Sequence, residues 1–355
     1  MRAQINYLQD GIEYRLFANG DGTKTATVTS VNNGEDELIP ADCTIPDDVT
    51  YNDASYTVTA IGANAFAAAK DYLTSVQFPV GLTSIGDQVF WGCSKLTSVQ
   101  FPAGLKTIGS SAFQNCSGLE GKLTFPAGLT SIGISAFWGC SSLDSVVFPD
   151  ALNDIGNYAF EGCTALASVT LPSSLTVINP GVFAQCSSLS SVALPGGLTK
   201  IEVYAFQRCS GLEGTLTLPA SLTSIGSSAF ANCTNLDTVA LLPETPPTLG
   251  GSVFQDVFAV FTCPEGSEGR YAAAYGWSAY FDPETGPGPG PETGTYDFSF
   301  ALLLPDYTTA AVTGFASGVS VAELYIPDSL LYQARSTPSP KSTAALSAIN
   351  PVWSQ

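Results

Sequence analysis

The chain has no histidine among its 355 residues, and that gap removes most hydrolytic chemistry. Ser-His-Asp and Cys-His systems need an imidazole to take the nucleophile's proton. No Cys-x-x-Cys pair occurs either, so a metal site would lack both thiolate pairs and imidazoles. Bases are scarce: 12 Lys and Arg stand against 31 Asp and Glu, for a net charge of -19. Polyanions release their counterions only to clustered bases, so nucleic acid is excluded as a partner, and no cofactor is implied. No run of about 18 apolar residues appears, so membrane insertion is not expected. The opening Met1-Arg2-Ala3-Gln4-Ile5-Asn6-Tyr7 lacks the apolar stretch of a signal peptide; an exported form is expected to have lost its leader.

What is present is a core-forming composition, 45% hydrophobic and 12% charged, too apolar for disorder. Charge is uneven: -7 over residues 1–60, -5 over 61–250 and -7 over 251–355. The acids therefore gather on the flanks. Glu35-Asp36-Glu37 and Asp47-Asp48 lack the alternating ligand spacing of a calcium loop and read as solvated acidic loops.

Self-similarity dominates the middle of the chain. Phenylalanine recurs every 23 or 24 residues at Phe66, Phe90, Phe113, Phe137, Phe160, Phe183, Phe206, Phe230 and Phe254. An aliphatic residue stands five positions earlier, from Ile61 to Leu249. Three positions later comes a cysteine in seven of the nine copies, Cys93 to Cys233. Leu96-x-x-Val99-x-Phe101 alternates like a short strand, and Pro102 ends it because proline cannot donate to a ladder. Leu-Thr-Ser-Ile-Gly predicts a second short extended segment. Ala-Phe-x-x-Cys is expected to turn the corner as one helical or 3₁₀ turn. A single copy buries about seven apolar side chains at roughly 1.5–3 kcal/mol each. Ordering it costs on the order of 1.5 kcal/mol per residue, so copies must stack to be stable.

These residues resemble the BspA-like leucine-rich-repeat family, whose repeat pairs Ile-Gly-x-x-Ala-Phe-x-x-Cys with Leu-x-x-Val-x-Leu-Pro-x-x-Leu-Thr. The resemblance spans residues 40–282. It implies a leucine-rich-repeat solenoid with short parallel strands; a parallel β-helix, with a third strand at Ala-Phe-x-x-Cys, is the alternative. It also implies a bacterial cell-surface or secreted location, adhesion to a host or microbial surface protein, and no catalytic residues to transfer.

The expected organisation follows. Residues 1–58 form a β-rich N-terminal cap, with strands at 11–17 and 25–28 around an Asn19-Gly20-Asp21-Gly22 turn. Residues 59–282 hold eight to nine repeats and a C-terminal cap. Residues 283–295 are a Pro/Gly linker whose Pro-Glu-Thr-Gly elements lack the context of a sorting signal. Residues 296–355 form a C-terminal β module or a partly disordered tail. Within it, residues 296–330 echo the N-terminal module.

Candidate site residues lie on two features. Outward strand positions Ser98, Gln100, Ser145, Ser168, Thr170 and Ser191 make a face of small polar groups suited to a protein partner. Trp91 and Trp138 follow their repeat phenylalanines where other copies carry Gln114 or Glu161, a position open enough to take charge. With Tyr158 and Tyr204 they offer a glycan-stacking alternative. A purely architectural spacer is the third reading. The cysteine column reads as buried packing. The repeat acids Asp144, Asp150, Asp154, Glu161, Glu202, Glu213 and Asp237 are too scattered to make a glycosidase pair.

Overall fold

The computed structural model describes residues 4–31, 39–281, 308–310 and 324–326. The N-terminal cap starts with β1 (Gln4–Gln9), β2 (Ile12–Ala18) and β3 (Lys24–Val31), which pair antiparallel in sequence order. Asn19 and Gly22 close the β2–β3 turn with a 3.1 Å backbone hydrogen bond. After β4 (Asp42–Thr44) and β5 (Asp48–Tyr51), β6 (Ala54–Ile61) pairs parallel with β3. β6 runs across the cap–repeat junction expected at residues 58 and 59, and its last residues are already the first rung of the stack.

From there the chain winds as coils joined by two parallel ladders. The Ser-Ile segments make the first: Ile61, Ile85, Ile108, Ile132 and Ile155 lie in register, and so do Ile178, Ile201, Ile225 and Leu249. The Ser-Val segments make the second, in three sheets. The first joins β4, Ser75–Gln77 and Ser98–Val99. The next runs from Gly121–Thr124 to Ser191–Val192, and the last from Gly214–Leu218 to Val260–Thr262. Four coils run to 24 residues, and two of them take up the extra residue by register shifts after Gly121 and Gly214. Both glycines adopt positive φ, 73° and 67°, which only an unbranched backbone takes without cost.

The third side of each coil differs from both sequence expectations. It is a strand in no coil, and a 3₁₀ turn forms only at Ala67–Ala69. Elsewhere overlapping tight turns surround the phenylalanine. The residue two before it is left-handed in every coil, φ 54° to 63°, and from Gly92 onward so is the residue two after, φ 58° to 74°. For a non-glycine residue that costs about 1–2 kcal/mol. Inter-coil hydrogen bonds worth roughly 0.5–1.5 kcal/mol each partly offset it. Tyr158 N donates to Pro180 O at 2.8 Å, Phe160 N to Val182 O at 2.9 Å and Gly162 N to Ala184 O at 2.9 Å. The turn face is thus a third ladder, in which the N–H groups point forward and the carbonyls back.

Between the three sides lies a continuous core. The phenylalanine rings stack face to face along it, with centroids 5.0 Å apart for Phe90–Phe113, 5.1 Å for Phe113–Phe137 and 5.2 Å for Phe137–Phe160. A second column, Phe78, Phe101, Phe125 and Phe148, meets the first edge-on. The close coil spacing depends on the glycine after each isoleucine: a Cβ on Gly156 would lie 2.5 Å from the Gly133 backbone. Where Asn179 and Glu202 replace that glycine the rings stand 5.9 and 5.6 Å apart, and Phe230–Phe254, whose coils keep it, are also 5.6 Å apart. The first ladder breaks at Asn179, whose side-chain amide donates to Ile155 O at 2.8 Å in place of the backbone.

At the far end Val260–Thr262, α1 (Glu268–Ala273) and α2 (Ser278–Phe281) close the stack. Trp277 and Tyr271, both fully buried, cover the last coil. Trp277 Nε1 donates to Pro247 O at 2.6 Å and the Tyr271 hydroxyl to Pro243 O at 2.8 Å. Thr308–Ala310 and Leu324–Ile326 pair antiparallel. The linker and the rest of the expected C-terminal module lie outside the described residues.

Candidate functional site

The second ladder places the outward strand residues in columns. Ser75 lies opposite Ser98, and Ser145, Ser168 and Ser191 are consecutive rungs, with Thr170 beside Val147 one step along. Ser98, Gln100, Ser168, Thr170 and Ser191 are exposed and Ser145 half-buried. Hydroxyls at the corners of the coil bond back to the preceding coil: Thr97 to Thr74 O at 3.4 Å, Ser190 to Ala167 O at 3.2 Å. By contrast the Ser98, Ser145, Ser168 and Ser191 hydroxyls make no such bond among the described residues, so their hydrogen-bonding capacity is open to a partner. Ser75 is committed, donating to Asp42 Oδ1 at 2.9 Å, which with Thr74 holds that carboxyl below the usual range.

Lys122 was missed. The register puts it in the serine column opposite Ser145, a charge in an otherwise small face. The extra residue in Leu119-Glu120-Gly121-Lys122 hides this when copies are aligned without the bulge. Glycine after an acid at the strand start, repeated in Glu213-Gly214, was the available signal.

Trp91, Trp138, Tyr158 and Tyr204 sit on the turn face, so the structure does not bring them together with the strand serines. Trp91 is 42% exposed, with Lys70 Nζ 5.8 Å from its ring centroid. Trp138 is half-buried two coils on, about 10 Å along the stack at the ordinary spacing. The openness expected of this column is not general: Ala184 and Ala231 are buried in it. Tyr204 is 40% exposed. Tyr158 packs its ring across Gly181, where a Cβ would collide with it; its role is to cover the next turn. Both tyrosines hold the left-handed position, φ 59° and 61°.

The cysteine column is interior. Each thiol from Cys116 to Cys233 donates to the carbonyl of a phenylalanine one coil back, as Cys163 Sγ does to Phe137 O at 3.3 Å and Cys209 Sγ to Phe183 O at 3.0 Å. Burial pushes the Cys93, Cys163 and Cys233 thiols up to about 12, which leaves no thiolate to react. Cys43 is buried and Cys263 half-buried. Acids on the repeats meet amides: Glu161 Oε1 accepts from Gln185 Nε2 at 2.7 Å, and Asp154 Oδ1 from Asn179 Nδ2 at 3.5 Å. Among the described residues no helix is long and apolar enough to cross a membrane.

Two in-register ladders, a turn face and a capped continuous core define a leucine-rich-repeat solenoid. The chain belongs to the BspA type leucine rich repeat family: the model of that repeat region matches in six copies, over residues 46–166, 120–237 and 214–260. Repeat proteins of this family and fold are generally non-catalytic. A leucine-rich repeat protein from Bacteroides ovatus is similar at 29% identity, over 72% of this chain and 71% of that one, with a TM-score of 0.58. A leucine rich repeat protein of T. pallidum is 26% identical, covering 65% and 91%, with a TM-score of 0.49. A leucine rich cell surface protein of Faecalibacterium prausnitzii is 25% identical, covering 67% and 95%, with a TM-score of 0.30. No curated protein matches.

Proposed function

We propose that the solenoid is a non-catalytic protein-binding module of a bacterial surface or secreted protein, which adheres to a host or microbial surface protein through the second-ladder face. The observation that carries this is the run of registered serines with uncommitted hydroxyls on a rigid parallel ladder. Small side chains on such a face lose little rotamer freedom when a partner covers them. Membership of a family of bacterial repeat proteins supports the class. The thiols suit an oxidising exterior, because burial keeps those of the column protonated.

The test is binding to a panel of extracellular-matrix and bacterial surface proteins by the chain and by a Ser145→Glu, Ser168→Glu, Ser191→Glu variant. The reading predicts at least a tenfold loss of affinity for the partner with an unchanged circular dichroism spectrum. Full binding by the variant rules out this face.

One observation favours a second reading, glycan capture: Trp91 is exposed on the turn face. That reading predicts a shift in tryptophan fluorescence with oligosaccharides that is lost in Trp91→Ala while protein binding persists. A folded chain with neither activity is an architectural spacer.

A further inference from the structure

The N-terminal sheet has an uncovered edge. β1 pairs with β2 on one side, and no described strand pairs with it on the other. Asp10 and Gly11, with φ of 51° and 72°, make the two-residue turn between β1 and β2. In such a hairpin the flanking residues, here Gln9 and Ile12, exchange both backbone hydrogen bonds, and bonded and open positions alternate from there. Ile5, Tyr7 and Gln9 therefore bond to β2, while Gln4, Asn6 and Leu8 turn their N–H and C=O groups to the open side. Edge strands are ordinarily blunted by charge, proline or a bulge. Gln4-Ile5-Asn6-Tyr7-Leu8-Gln9 has neither charge nor proline, and its register with β2 is unbroken. The nearest bulge lies one strand further in, between β2 and β3. Nor is the core side of the strand fully covered: Ile5 and Tyr7 pack on the core half-buried, and Tyr7 meets Tyr51 edge-on at 5.5 Å.

The strand is complementary to itself. Let two copies of β1 run antiparallel about a two-fold axis at Asn6. Gln4 then faces the partner's Leu8, Asn6 the partner's Asn6 and Leu8 the partner's Gln4. Every open residue meets an open residue, and each such pair exchanges two backbone hydrogen bonds. Sliding the pairing by two residues either way leaves Gln4 or Leu8 opposite no residue of the strand. The same register sets Ile5 against the partner's Tyr7 on the half-buried core side, an aliphatic–aromatic pair of the kind that stabilises sheets. No like charges oppose one another, because the strand carries none. This self-matching pattern commits the edge to a second copy of the chain in an isologous contact. One strand pair buries less than a standard interface, so association belongs in the micromolar range or weaker.

We propose that the protein forms a two-fold dimer by joining β1 edges, with Asn6 at the axis. The test is sedimentation velocity of the full chain in about 0.15 M salt, which screens charges beyond about 8 Å and so limits repulsion between copies of net charge -19. Two variants serve. Asn6→Pro removes an N–H that β2 does not use, a change that an edge strand tolerates. Asn6→Lys sets like charges opposite each other across the axis. The dimer predicts a shift toward the mass of two chains as concentration rises. Its dissociation constant should be at least tenfold weaker in both variants, with unchanged circular dichroism. Asn6→Lys mixed with Asn6→Glu should pair at least tenfold more tightly than either alone, because this register brings the two opposite charges together. A chain that stays monomeric up to about 1 mM, or a dimer indifferent to these substitutions, would overturn the proposal.

Discussion

At the residue scale, two positions carry the repeat: the glycine after isoleucine and the cysteine after phenylalanine. Gly156→Ala forces a Cβ to 2.5 Å from backbone that cannot yield; we expect a loss of about 2 kcal/mol or more. Gly196→Ala, with nothing within 4 Å, is expected to be neutral or slightly stabilising; paired denaturant melts check both. The thiols give a chemical prediction. Native protein should be labelled by a thiol reagent at Cys263 alone of the nine cysteines, the others reacting only on unfolding. Their titration also sets an alkaline limit. A thiol held at about 12 in the fold, against an ordinary 9.0, contributes its full stability below pH 9 and loses it as pH rises toward 12. The melting temperature should therefore fall as pH rises above 9, less steeply in Cys163→Ala. A melting temperature flat to pH 11 would contradict the buried column.

At the scale of elements, what was legible in the sequence was periodicity, and what was hidden was backbone. Phe90 to Phe230 and Val99 with Phe101 announce their faces through spacing alone, and Pro102 and its equivalents mark where strands stop. The left-handed turns had no comparable signal. The column two before phenylalanine holds Asn, Gln, Ser, Gly and Tyr, and only its glycine and asparagine favour positive φ. What fixes the conformation is the next coil's carbonyls, a contact absent from any local window. The same reason hid Lys122, whose face depends on a bulge, and the covering role of Tyr158, which depends on Gly181 one coil away. Of the candidate site, the outward strand positions were readable from alternation; which hydroxyls are uncommitted was not. The C-terminal cap is testable at this scale. Trp277→Ala removes a fully buried side chain and its bond to Pro247 O, at a cost of about 3–5 kcal/mol. Hydrogen exchange should show that loss as fraying confined to the coils after Phe206, whereas uniform destabilisation would mean that the cap is not a local lid on the stack.

The repeat region is quasi-one-dimensional: each coil contacts its neighbours and little else. Stability and binding surface therefore both scale with coil number. Residues 133–155 form one complete coil, and the register of Ile132 with Ile155 means that their removal joins Ile132 to Gly156 with the repeat unbroken. Phe160 would then stack on Phe113, and Cys163 would donate to Phe113 O. The most direct measurement is small-angle scattering of this deletion beside the intact chain, each with a thermal melt. The stacked-coil account predicts a folded, cooperatively melting protein whose repeat stack is shorter by one coil, about 4.8 Å. An unfolded, aggregated or re-proportioned product would contradict it.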